Sequence, residues 1–135
     1  MTSAARPLPH WLTVSTAPAP AAGDPGRGHG DVVDGRACRT RAAFFEEAAR
    51  ALRLPGYFGR NWDALADSFR DLTTAGKVAL VIDHAEDLLA DEPPAQLATL
   101  LDILAESAQT GLTTTLHTTP DAQPTLHTRL TAAFN

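Results

Sequence analysis

A single cysteine among 135 residues, Cys38, has no internal partner, which excludes a disulfide-built scaffold and favours a reducing compartment. Cys38 itself reads as a small buried hydrophobe beside a strand rather than a reactive thiol. Lysine is nearly absent: of 11 basic residues only Lys77 is a lysine, and the arginines form no cluster. With a net charge of −5, direct binding of a nucleic-acid backbone is not expected. No run approaches the ~20 apolar residues that cross a bilayer. The short apolar stretch Trp11-Leu12-Thr13-Val14 before Ala17–Ala22 is too brief and proline-interrupted for a secretory leader, so the cytoplasm is the expected compartment. The five histidines make no pair at metal-ligand spacing. Walker-type, dinucleotide-type and nucleophile-elbow glycine motifs are all missing, and Gly26-Arg27-Gly28-His29-Gly30 precedes a strand where a dinucleotide loop would follow one. No cofactor or metal is implied.

What is present divides unevenly. Residues 1–30 hold five prolines and four glycines and carry +1, so residues 31–135 carry −6. The first segment reads as a flexible Pro/Gly/Ala-rich extension. Within it Trp11–Ser15 is open to two readings, a short strand or a segment docked on the domain. From residue 31 the pattern becomes regular. Val32-Val33 before Asp34-Gly35 reads as a strand and turn. Thr40 caps a helix reaching Leu52, buried through Phe44, Phe45, Ala48, Ala49 and Leu52. Leu54-Pro55-Gly56 ends it. A second helix covers residues 61–71 with Asn61 as its cap, followed by a loop at Thr73–Gly76. Lys77–Ile82 reads as a strand covered on both faces, and helical turns follow at Ala85–Ala90. Pro93-Pro94 open a helix striped with Leu97, Leu100, Leu101, Leu104 and Ala108, which Gly111 stops. Leu112–Thr118 is a threonine-rich strand. The terminal segment, residues 119–135, is expected to include a short helix carrying Leu126, Leu130 and Phe134. Strands separated by helices predict an α/β fold with parallel crossovers.

The distinctive stretch is Tyr57-Phe58-Gly59-Arg60-Asn61-Trp62-Asp63-Ala64-Leu65-Ala66-Asp67, preceded by Leu54-Pro55. Asp63, Asp67 and Asp71 recur every four residues, so they stack on one helical face and repel one another. Trp62, Leu65, Phe69 and Leu72 form the opposite, apolar face. A row of like charge is not required for folding, so its use is expected to lie outside the fold. The bland reading is a solvated helix face. Against it stands the composition of the neighbourhood, with Tyr57, Phe58 and Trp62 beside the acids as in interface hot spots. Glu106, on the helix after Pro94, supplies a further acid, with Asp102 one turn earlier. A hydrolase using Asp63 and Asp67 as an acid–base pair is disfavoured, because both project from one convex face with no cleft to separate their pKa values.

These residues, from Leu-Pro through aromatic-aromatic-Gly, Asn and Asp-Ala-Leu to Asp67, resemble the signature of the barstar family, intracellular inhibitors of barnase-type ribonucleases. The resemblance spans residues 31–118. It implies a small three-stranded parallel sheet packed against helices, no catalytic chemistry, and a monomer in a 1:1 complex with a basic extracellular-type ribonuclease or related nuclease, without nucleic acid or membrane. By position it implies that Asp67 enters the ribonuclease's phosphate site and that Asp63 and Glu106 support it. Tyr57 then packs on the nuclease, and Gly59, Asn61 and Trp62 fall in the contacting loop and helix start. Departures are Ala66 in place of a tryptophan, Trp62 for a leucine, Arg60 for an acid, and Arg70 one turn beyond Asp67. An acidic interaction module for a non-nuclease basic partner is the alternative.

Overall fold

A strand of only two residues, Val33–Asp34, pairs with Ile82–Asp83, and its fit depends on one glycine. A Cβ on Gly35 would collide with the backbone carbonyl of His84, an approach no side chain can accept. The close approach places the end of this strand, β2, against that of β3 (Val78–Asp83). The structure is a computed structural model describing residues 8–17 and 32–134. The rest of the extension expected over residues 1–30, including the glycine run 26–30, lies outside the described residues.

The remaining strands and α-helices are β1 (Leu12–Ser15), α1 (Arg41–Leu52), α2 (Trp62–Ala75), α3 (Pro94–Ala108), β4 (Leu112–His117) and α4 (Gln123–Phe134), with short 3-10 turns at Gly35–Ala37 and, within the expected Ala85–Ala90 segment, at Ala85–Asp87. The strands form one parallel sheet in the order β1-β4-β3-β2, so the fold is α/β as the alternation predicts. The three-strand expectation is corrected to four. The addition is β1, which pairs Leu12–Ser15 with Thr114–His117 along the edge of β4. Four residues are worth ordering there because Trp11 and Leu12 are buried in the core, where large apolar side chains gain most. Thr114 N–H donates to the Trp11 carbonyl at 2.9 Å, and Thr118 N–H donates to that of Ser15 at 3.0 Å.

Local chemistry explains the helix limits. Thr40 Oγ1 accepts from Ala43 N–H at 3.2 Å to start α1, and Arg53 closes it in the left-handed region at φ 56°. Phe44, Phe45, Ala48, Ala51 and Leu52 are its buried residues; Ala49 is only partly buried. At α2 the expected loop from Thr73 does not form, and the helix runs on to Ala75. Thr73 Oγ1 donates back to the Phe69 carbonyl at 2.9 Å and meets Thr110 Oγ1 at 2.8 Å, which satisfies a buried hydroxyl within helical backbone. Pro94 opens α3, where a missing N–H costs nothing. Gly111, at φ +118°, permits the turn into β4. The tail helix α4 forms over the expected residues, burying Leu126 and Leu130. Helix α3 packs against both α2 and α4, which brings Glu106 toward the acidic helix. Among the described residues, no helix is long and apolar enough to cross a membrane.

Candidate functional site

Helix α2 carries the candidate site, and its first turn is fixed by Asn61. Asn61 Oδ1 accepts from Ala64 N–H at 2.8 Å, while its Nδ2 donates to the Gly59 carbonyl at 3.1 Å. Both ends of the amide are therefore committed to shaping the loop. Gly59 suits this turn because a Cβ there would sit 3.2 Å from Asn61 Nδ2 and 3.3 Å from the Ala64 Cβ. Arg60 adopts φ 53°, and its guanidinium turns to the Glu46 carboxylate of α1 and to the Phe58 carbonyl. That contact raises the Arg60 pKa, chiefly through the hydrogen bond to Glu46. The positive charge that replaces an acid in the signature is thus paired with α1.

Trp62 faces inward. Its ring lies 4.9 Å from that of Phe45 and 5.9 Å from that of Phe44, and Nε1 donates to Gln96 Oε1 of α3 at 2.9 Å. Behind it Leu65 and Phe69 are fully buried. With one face anchored, the other presents Asp63, Asp67 and Asp71, all exposed, at ~6 Å intervals along the axis. Asp67 accepts from Arg70 Nη1 at 2.7 Å, an ion pair with both side chains largely open to water. Glu106, on the last turn of α3, is also exposed. It borders a shallow depression of about 160 Å³ with Ala66, Arg70, Ser107, Gln109 and Thr110. Tyr57 is 89% exposed, the one large apolar side chain so placed among the described residues. It flanks a second depression, between the Arg53–Phe58 loop and the far half of α2, with Asp71 at its rim. Neither depression is lined by Asp63 or Asp67, both of which are exposed.

A family model described as Barstar (barnase inhibitor) matches residues 29–119. The chain belongs to this family. The barstar match covers about two thirds of the 135 residues, and it takes in α1, α2, α3 and strands β2, β3 and β4. Strand β1 and helix α4 lie outside it. Comparison with curated proteins found no match.

Of the residues singled out in the sequence, the fold brings Asp63, Asp67 and Tyr57 to exposed positions on or beside α2, and sets Glu106 against the Ala66–Arg70 turn. Asn61 and Gly59 shape the approach to the helix. Trp62 is half-buried, with its polar edge engaged by α3. Two participants escaped the sequence reading, Gln96 as partner of Trp62 and Glu46 as partner of Arg60. Both pairings span loops and neighbouring elements, so no local pattern announces them.

Proposed function

We propose that this barstar-family chain inhibits a basic ribonuclease by seating the exposed face of α2 in its active site. The observation that carries this is the placement of Asp67 on an outward helical face whose other side is locked into the core. A fixed carboxylate has the charge and acceptor oxygens of a phosphate, so a cleft built from Arg, Lys and His to hold RNA would accept it. Asp63 and Glu106 add negative potential on either side, and Tyr57 supplies an uncovered aromatic anchor. Gly59, Asn61 and Trp62 serve by setting the loop and helix start. Charge-steered association is well known from this family's own complex, barnase with barstar. The same steering is proposed for the −5 chain.

In this reading residues 31–118 form the inhibitor domain, acting as a monomer in a 1:1 complex, in the cytoplasm, with no reaction of its own. The test is RNA cleavage by barnase or another basic ribonuclease while the chain is titrated in. Activity falling to zero at one equivalent supports the proposal; unchanged cleavage by every such nuclease, including those of the native host, contradicts it.

A further inference from the structure

A phosphate mimic does not account for the cation in its midst. Arg70 lies one turn beyond Asp67 on α2 and donates to it at 2.7 Å, with 61% of the arginine side chain and 69% of the aspartate exposed. It also lines the depression shared with Ala66, Glu106 and Gln109. Arg60, by contrast, is bound to Glu46 and the Phe58 carbonyl. Arg70 therefore travels into any interface that Asp67 enters.

Exposed pairs of this kind have little net worth in water and break readily. When the oxygens of Asp67 pass to the cations of a nuclease cleft, the Arg70 guanidinium loses its acceptor in the same newly dried space. A cation left unpaired among cations is heavily penalised. The penalty vanishes if the partner supplies a carboxylate there, since a guanidinium–carboxylate pair is the geometry arginine suits best. The small side chain of Ala66 leaves the adjoining depression, which Gln109 also lines, open to receive such a group.

Building on the inhibitor reading, the geometry points to Arg70 as the specificity-determining residue of the acidic face. It rejects nucleases that are uniformly cationic opposite α2 and selects one carrying an acidic side chain beside its phosphate pocket. Discrimination through a repulsive element is a general route to specificity.

The test uses as its probe a barnase variant in which the carboxylates bordering the phosphate pocket are changed to amides, with association rates and equilibrium affinity measured for the full chain and its variants. Arg70→Gln is expected to tighten binding roughly fivefold or more and to speed association at low salt, while Arg70→Lys, which keeps the charge, stays near the wild type. Binding by Arg70→Gln no tighter than by the wild type, undetectable binding of both included, overturns the assignment. Asp67→Asn separates the two claims. If it weakens binding while Arg70→Gln brings no gain, only the role of Arg70 falls. If Arg70→Gln brings the gain and adding Asp67→Asn leaves it intact, Asp67 is outside the interface and the inhibitor reading falls.

Discussion

Trp62 Nε1 donates to Gln96 Oε1 at 2.9 Å, joining the first turn of α2 to the first turn of α3. The two helices that carry Asp67 and Glu106 are thereby tied at their N-terminal ends. A partly buried neutral hydrogen bond contributes about 1 kcal/mol. Gln96→Ala is expected to lower unfolding stability by about that amount in urea titrations, with a change in tryptophan emission in the folded state. An unchanged midpoint would show the bond to be worth nothing.

Thr114 presents the opposite case. It sits in β4 between two paired strands, and its Oγ1 is buried with no hydrogen-bond partner among the described residues. A buried hydroxyl without a partner carries its desolvation cost uncompensated. Thr114→Val keeps the β-branched shape and is expected to raise stability by about 1 kcal/mol, read as a higher denaturation midpoint. A fall would show that the hydroxyl is satisfied.

The Cys38 thiol gives the fold an alkaline dependence. Burial pushes its pKa up to about 12, whereas an unfolded cysteine titrates near ~8.5. The folded state therefore holds the proton over a range where the unfolded state releases it. Stability from this group is complete below about pH 8.5 and declines above it, levelling near 12. Comparing unfolding free energies at pH 7 and pH 10 should show a steeper loss in the wild type than in Cys38→Ala. The native thiol should also resist a disulfide reagent until the chain unfolds, because the side chain is fully buried.

Strand β1 lies beyond the family match but is built into the core. Trp11→Ala should cost about 3 kcal/mol, the lower range for deleting a buried aromatic, and should promote self-association through the uncovered edge of β4. Thermal unfolding and light scattering read the two effects. A loss under ~0.5 kcal/mol, typical of surface sites, would mean that β1 rests on the sheet without supporting it.

Much of this architecture could be read locally. Thr40 and Asn61 announce their helices because a capping side chain needs only the next three residues, and Pro94 and Gly111 bracket α3 in the same way. The acidic and apolar stripes of α2 follow from helical periodicity alone. The failures share a cause. Strand β1 has four residues in a proline-rich setting, and its pairing partner is about a hundred positions away. The continuation of α2 through Thr73 depends on Phe69 and Thr110, and the latter is brought close only when α3 packs on α2. At the site, Asp63, Asp67 and Tyr57 are legible as a pattern. The inward turn of Trp62 toward Gln96 and the pairing of Arg60 with Glu46 require the assembled helices.

Asp67 is the residue on which the proposed inhibition stands. Its most direct test is the affinity of a ribonuclease inhibited by the chain for the wild type and for Asp67→Ala, measured by titration calorimetry at low and moderate salt. Losing a carboxylate that meets cations in a dried cleft should weaken binding by roughly 2–5 kcal/mol, with smaller losses for Asp63→Ala, Glu106→Ala and Tyr57→Ala. Equal affinity for the wild type and Asp67→Ala would contradict the phosphate-mimic mechanism.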